Sequence, residues 1–138
     1  MYIQKIELSN FQCFGEEPTI IKMEKDITCL IGNNGSGKSA VIKAIQRMFG
    51  NTIEERTIVK SDFHICSNET EADIKNRKLY IDIVFEFNNE EEAEKLAFFS
   101  SVIYENSKEK FCARMRLEAI WNDEEYEDEV SSTLFWVL

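Results

Sequence analysis

Proline, histidine and long apolar runs are scarce in this sequence, which has one proline, five glycines and a single histidine, His64. So little proline, with no low-complexity stretch, is atypical of a disordered chain. No apolar run comes near the roughly 20 residues that a membrane helix needs, and the first residues lack the apolar core of a signal peptide. We therefore expect a folded, cytoplasmic protein with no membrane partner.

The sequence also lacks a cysteine or histidine pattern typical of metal or redox sites. The four cysteines are widely spaced and form no C-x-x-C pair: Cys13, Cys29, Cys66 and Cys112. We expect reduced and mostly buried thiols, because free cysteine behaves as a small hydrophobe. His64 is the only candidate for a histidine-centred dyad, and nothing beside it suggests the required Cys or Ser arrangement. We interpret it as a partly buried or surface histidine.

Basic residues are outnumbered, and the formal net charge of the 138-residue chain is −10. This length suits one domain with a single core. The net charge repels nucleic acid on average, so any DNA contact must use a local basic patch. Lys43 and Arg47, one helical turn apart, could form a basic edge facing DNA, although a solvated helix face is the more ordinary interpretation. We interpret the acidic runs at 89–94 and 123–129 as solvated surface.

Alternating and apolar segments predict an α/β fold. Expected strands cover residues 1–9, 19–23, 27–31, 79–87 and 111–121, with the apolar run at 27–31 typical of a strand buried on both faces. Helical spacing predicts helices at 40–49, with a stop at Gly50, and at 90–104. Residues 52–77 are polar and predict mostly loop. The apolar end, residues 133–138, indicates an edge strand or, as we favour, a truncated domain.

One motif carries chemistry. Residues 32–39 read Gly-Asn-Asn-Gly-Ser-Gly-Lys-Ser and fit the P-loop pattern G-x-x-x-x-G-K-[ST] at every fixed position. The motif must follow a buried strand and open a helix, and the runs at 27–31 and 40–49 meet both requirements independently. The sequence therefore predicts that this loop binds the phosphates of a nucleoside triphosphate, which we expect to be ATP with Mg²⁺.

The residue types follow from the chemistry of phosphate binding. Side chains beyond Cβ would block the approach of phosphates to backbone N–H groups, which favours glycine, and the helix N-terminus supplies partial positive charge. Lys38 can reach the β- and γ-phosphates and is the candidate catalytic residue, and the Ser39 hydroxyl can ligate Mg²⁺. The predicted nucleotide-binding residues are Gly32, Asn33, Asn34, Gly35, Ser36, Gly37, Lys38, Ser39 and Ala40.

Residues 6–14, the P-loop and residues 42–45 together resemble the N-terminal half of ABC-type ATPases of DNA metabolism, a group that includes SMC, RecF and the overcoming-lysogenization-defect (OLD) nucleases. The run Lys-Ser-Asp-Phe-His at 60–64, ahead of the strand at 79–87, is most similar to the OLD nucleases. Gln12 departs from the group, since many relatives carry a basic residue there near the nucleotide.

The resemblance implies a P-loop NTPase fold of the ABC-type head, with a mixed sheet, a homodimer of heads enclosing ATP, and hydrolysis coupled to DNA processing. The sequence contains no recognisable signature helix, Walker B strand or nuclease domain. We expect residues 1–138 to be the N-terminal portion of an ABC-type ATPase domain. Such a portion should retain ATP binding even where it has lost ATP hydrolysis. Whether the chain acts as an enzyme is left open.

Two other function classes compete with this interpretation. One is an assembly module that holds nucleotide as a structural ligand without turnover of its own. The other is a P-loop kinase or GTPase, which is disfavoured because two strands precede the loop and no N-K-x-D segment for guanine is present.

Overall fold

The structure is a computed structural model that describes residues 1–95, 101–122 and 129–138. Its elements are six strands and several helical segments. In order they are β1 (Tyr2–Ser9), β2 (Thr19–Lys22), α1 (Lys38–Phe49), α2 (Ile53–Arg56), a 3-10 turn (Lys60–Asp62), β3 (Lys78–Glu86), α3 (Glu90–Lys95), β4 (Ile103–Glu105), β5 (Phe111–Trp121) and β6 (Val130–Val137).

The six strands form one sheet in which each described pairing is antiparallel. The order is β2-β1-β3-β5-β4, and β6 also pairs with β5. Strands β4 and β6 lie along the same edge of β5. Strand β4 pairs with residues 111–113 of β5, and β6 pairs with residues 114–121. The register shifts between Ile3 and Lys5, which marks a bulge in β1.

One face of the sheet carries the main core. Its alternate side chains Ile6, Leu8, Ile81 and Ile83 are fully buried and cluster with Val41, Ala44 and Met48 of α1. Burying each large aliphatic side chain stabilises the fold by about 1.5–3 kcal/mol. The apolar stripe of α1 therefore anchors the helix that follows the P-loop, and the predicted α/β class is confirmed.

The opposite face of the sheet is held by ionic contacts. Asp82 on β3 is 1% exposed and accepts hydrogen bonds from Arg114 and Arg116 of β5, with Arg116 Nε at 2.7 Å. The Arg116 guanidinium also lies 4.1 Å from the ring centroid of Tyr80. Because each charge has a partner, this carboxylate is tolerated away from water.

The strand predicted at 27–31 is wrong. The structure assigns no strand there, and the Ile27 and Ile31 side chains are 75% and 94% exposed. A strand needs a neighbour to hydrogen-bond, and no described strand pairs with this segment. The apolar run that precedes the P-loop is thus an exposed stretch without regular secondary structure in this chain.

Two other boundaries differ from expectation. The helix predicted at 90–104 begins as α3, but its end is wrong, because residues 103–105 form β4 and pair with the start of β5. Residues 96–100 and most of the acidic run at 123–129 lie outside the described residues. The polar stretch at 52–77 is mostly irregular as predicted, yet it buries Ile58, Phe63 and Ile74 in the main core.

The described helices are all short. Among the residues that the structure describes, no helix is long and apolar enough to cross a membrane.

Candidate nucleotide site

The P-loop is a tight turn that leads directly into α1. Gly35 and Gly37 have φ values of 83° and 94°, in the left-handed region that favours glycine. Helix α1 begins at Lys38 and ends at Phe49, with Gly50 as its C-cap, and so includes the whole of the helix predicted at 40–49. The loop therefore delivers Lys38 and Ser39 to the first turn of a well-anchored helix.

The start of α1 suits an anion. Its N-cap, Gly37, makes no side-chain cap hydrogen bond, and no acidic residue lies in the first turn. The first backbone N–H groups of a helix have no partner within it, and the helix dipole adds partial positive charge there. This end of the helix is electrostatically ready for phosphate oxygens.

A cavity of about 420 Å³ opens over this helix end. Its lining includes six of the nine predicted nucleotide-binding residues, and two further residues come from the loop after β1. The lining residues are Asn34, Gly35, Gly37, Lys38, Ser39, Ala40, Gln12 and Cys13. The structure thus brings most of the predicted set to one concave surface.

The three predicted residues outside this lining still contact the site through Lys38. The Lys38 ammonium donates hydrogen bonds to the carbonyl oxygens of Gly32 and Asn33, the latter at 2.8 Å, and lies 3.4 Å from Ser36 Oγ. These bonds hold the ammonium over the loop. Any phosphate that Lys38 binds must compete with two backbone carbonyls.

Sequence reasoning missed Cys13 as a wall of this cavity. Three of the four cysteines, Cys13, Cys29 and Cys66, are exposed, so the expectation of mostly buried thiols is wrong. Each of the three lies outside helices and the paired strands. Cys13 lies near the phosphate loop because of the way residues 10–15 fold back. No local sequence pattern predicts that fold.

Arg47 is also placed differently from the sequence expectation. It is 6% exposed and its Nε donates to Asp62 Oδ2 at 2.8 Å, so it contributes neither to a basic edge facing DNA nor to a solvated helix face. The partner lies in the polar stretch that predicted only loop. A long-range ion pair of this kind leaves no signal in helical periodicity.

A second cavity, of about 400 Å³, borders the same loop and contains His64. His64 is half-buried, as expected, and its Nδ1–H donates to the carbonyl oxygen of Gln12 at 2.7 Å. Contrary to expectation, a thiol lies beside it, with Cys66 Sγ 3.5 Å from Nε2. A hydrogen bond with Glu69 raises the pKa of the Cys66 thiol, which opposes a nucleophilic role.

Glu69 is itself tied to Arg77. The Arg77 guanidinium donates two hydrogen bonds to this carboxylate, at 2.6 and 3.0 Å, and holds its pKa down to about 2. A further bond from Arg77 to the His64 carbonyl oxygen, at 2.7 Å, fixes the segment that follows the 3-10 turn. This second cluster is satisfied internally.

Comparison with known proteins places the chain in a family. Residues 1–134 match the family model AAA_15, described as an AAA ATPase domain. The chain belongs to this ATPase domain family. The family match spans the P-loop, all of α1 and most of the sheet.

Relatives of this AAA_15 domain include chromosome proteins. This chain is 33% identical over 92 residues to the chromosome partition protein Smc of Pyrococcus furiosus, and the match covers 65% of this chain and 8% of that protein. It is 46% identical over 50 residues to the DNA double-strand break repair Rad50 ATPase of Sulfolobus acidocaldarius, covering 36% and 5%. The chain thus spans less than a tenth of the length of these relatives.

Solved structures of SMC heads share the fold. One, from work on ATP-driven dimerisation and DNA-stimulated activation of SMC ATPases, matches with a TM-score of 0.58 at 23% identity, covering 97% of this chain and 69% of that one. Another, an Smc head bound to the C-terminal winged-helix domain of ScpA, matches with a TM-score of 0.55 at 22% identity, covering 99% and 35%. The P-loop NTPase fold of an SMC-type head is therefore confirmed.

Proposed function

We propose that this chain binds ATP through the cavity at the start of α1. The observation that carries the proposal is the convergence of the Gly35 and Gly37 backbone, the helix N-terminus and the Lys38 ammonium on one open surface. Phosphate oxygens would be held by the backbone N–H groups of the loop and by Lys38. The predicted set Gly32, Asn33, Asn34, Gly35, Ser36, Gly37, Lys38, Ser39 and Ala40 forms this binding loop.

The same surface fits Mg²⁺ with the nucleotide. Ser39 lines the cavity beside Lys38, and a hydroxyl oxygen is a ligand of the kind that this hard cation takes. A bound Mg²⁺ would bridge phosphate oxygens and neutralise their charge. Ser39 would hold the metal and Lys38 would hold the phosphates.

We infer further that the chain is the N-terminal portion of a cytoplasmic DNA-metabolism ATPase of the SMC, RecF or OLD type. Its Smc and Rad50 relatives support the broad form of this proposal. Residues 60–64 and the β3 strand support the narrower OLD-type endonuclease. ATP-dependent pairing of two heads and action on DNA would then belong to the whole protein.

A second candidate is nucleotide binding without turnover, as in an assembly module. Among the described residues that line the cavity there is no Asp or Glu that could orient an attacking water. Hydrolysis needs a water-positioning group and charge stabilisation beyond the P-loop. We therefore expect this chain to bind ATP and to hydrolyse it far below ordinary enzyme rates.

Isothermal titration of ATP·Mg²⁺ into three proteins tests the binding proposal: wild type, Lys38→Ala and Lys43→Ala. The Lys43 variant is a matched control, since it removes the same charge from the same helix but outside the cavity lining. We expect Lys38→Ala to weaken binding by at least about tenfold, because it removes a charged phosphate contact, and Lys43→Ala to bind like wild type. Equal binding by all three would refute the proposed site.

A phosphate-release assay on the wild-type chain separates the two candidates. Turnover near the usual enzyme range of about 1–10³ s⁻¹ would favour a complete ATPase. Binding without turnover would favour the assembly module, or a site completed by other chain segments. A difference in affinity between Mg²⁺ and EDTA buffers would support the role assigned to Ser39.

A further inference from the structure

A buried ion pair joins the phosphate-loop helix to the segment that follows α2. Arg47 and Asp62 are 6% and 1% exposed, and Arg47 Nε donates to Asp62 Oδ2 at 2.8 Å. The Arg47 guanidinium also donates, through Nη1, to the carbonyl oxygens of Glu54 and Glu55, both at 3.0 Å. The last turn of α1 is therefore fixed to both α2 and the 3-10 turn.

The same aspartate also holds the loop after β1. Asp62 Oδ1 accepts a hydrogen bond from Gln12 Nε2 at 3.3 Å, and the Asp62 carbonyl oxygen accepts one from the Gln12 backbone N–H at 2.7 Å. Its second oxygen, Oδ2, accepts from the Val59 N–H at 3.0 Å. Asp62 thus contacts three separate segments through one buried side chain and its own backbone.

The loop held in this way is a wall of the nucleotide cavity. Gln12 and Cys13 line the cavity together with the P-loop residues. Gln12 has a φ of 50°, a left-handed conformation that is uncommon outside glycine and that surrounding contacts must maintain. The backbone bonds to Asp62 and His64 supply such contacts.

We propose that Asp62 is a positioning residue for the nucleotide site, which fixes the loop of Gln12 and Cys13 against the helix that carries Lys38. This inference rests on the proposed ATP-binding function. Buried ion pairs are a weak source of net stability, so a role in fixing geometry is the more informative one to test. Small displacements of groups around a site reduce binding and rate strongly.

The test measures geometry apart from stability, using Asp62→Asn and a matched control, Asp82→Asn. Asp82 is as buried as Asp62 and also pairs with arginine, but it lies on the other face of the sheet, outside the cavity lining. Both variants lose a buried carboxylate charge. Only Asp62→Asn should loosen the wall loop.

Two readouts are recorded for each protein, the dissociation constant for ATP·Mg²⁺ and the rate at which a maleimide labels Cys13 without nucleotide. Labelling is done in a Cys29→Ser/Cys66→Ser background, because those thiols are also exposed and Cys112 is buried. For Asp62→Asn we expect the dissociation constant for ATP·Mg²⁺ to rise about tenfold, as for loss of one charge-assisted hydrogen bond. We also expect Cys13 to be labelled severalfold faster. We expect Asp82→Asn to change neither readout.

Equal effects of the two variants on both readouts would overturn the inference and assign Asp62 to stability alone. If the wild-type chain binds no ATP, the proposed function fails, and the labelling rate alone decides the role of Asp62. Should Asp62→Asn not fold, the double variant Arg47→Met/Asp62→Leu replaces the pair by apolar side chains, a change that is often neutral for folding. Faster Cys13 labelling in that folded variant supports the inference, and an unchanged rate overturns it.

Discussion

The Sγ atom of Cys13 lies 3.1 Å from the position that a Cβ would take on Gly37, and Phe14 Cζ lies 2.9 Å from it. This contact explains why the third glycine of the motif is under two constraints at once. Its φ of 94° disfavours any side chain, and the loop after β1 leaves no room for one.

Gly37→Ala and Gly35→Ala separate these two constraints. Both positions have left-handed backbone, but nothing lies within 4 Å of a Cβ on Gly35. We expect Gly35→Ala to lower the free energy of unfolding by about 1–2 kcal/mol. Gly37→Ala should cost more, and it should also abolish ATP binding, because Cys13 and Phe14 must move. Urea unfolding and titration calorimetry measure both, and similar losses from the two variants would contradict this account.

Ser39→Ala tests the assignment of the metal ligand. We expect the variant to bind ATP in EDTA as the wild type does, because Lys38 and the loop backbone remain. In Mg²⁺ it should bind at least about tenfold more weakly than wild type, since one metal ligand is lost. Calorimetry in the two buffers gives the comparison. An Mg²⁺ effect of equal size in both proteins would rule out Ser39 as the ligand.

The Glu69–Arg77 pair gives a prediction about pH. The pKa of Glu69 is lowered to about 2, chiefly by hydrogen bonds from Arg77, whereas in the unfolded chain it is about 4.3. The pair therefore stabilises the fold fully above about pH 4.3, and this contribution is lost as the pH falls toward 2. Glu69→Gln should be less stable than wild type at pH 7, with a difference that narrows across this window.

Urea unfolding at several pH values between 2.5 and 7 follows that difference. Arg77→Met serves as the reciprocal variant, because removing the donor should return the Glu69 pKa toward its ordinary value. A stability difference between Glu69→Gln and wild type that stays constant with pH would show that the ion pair does not set the Glu69 pKa.

Phe63 should be a stability residue despite its position in a polar stretch. It is buried in the main core, and its ring centroid lies 5.5 Å from that of Trp121 at an interplanar angle of 72°. We expect Phe63→Ala to cost roughly 3–5 kcal/mol. Ile65→Ala, two residues away at an exposed side chain, should stay within about 0.5 kcal/mol of wild type. Equal losses in urea unfolding would contradict the packing described here.

Local sequence pattern predicts the elements whose stability is local. The P-loop and α1 follow from glycine spacing and a helical apolar stripe. Strand β3 follows from its β-branched and aromatic residues, to within one residue at each end. The strand prediction for residues 27–31 is wrong because an apolar run forms a strand only where a neighbouring strand can pair with it. Local residues set the propensity, and a pairing partner decides the outcome.

The rest of the site depends on contacts between distant residues. Arg47 occupies a position that helical periodicity assigns to the polar face, yet it is buried because Asp62 reaches it from 15 residues away. Cys13 lines the cavity because Gln12 bonds to Asp62, 50 residues further along. Neither pairing follows from residue spacing. The P-loop can therefore be predicted from the sequence, but the part of the cavity wall formed by Gln12 and Cys13 cannot.

The placement of β1 between β2 and β3 sets an order of events during synthesis. Tyr2 pairs with Glu86 and Ser9 with Tyr80, so β1 can form these pairs only after β3 has been synthesised. At about 5–20 residues per second, the P-loop helix leaves the ribosome several seconds before β3, the strand that pairs with β1 beneath it. During that interval, the phosphate-binding loop has no folded sheet to pack against. A nascent chain should therefore gain affinity for nucleotide only once β3 has emerged.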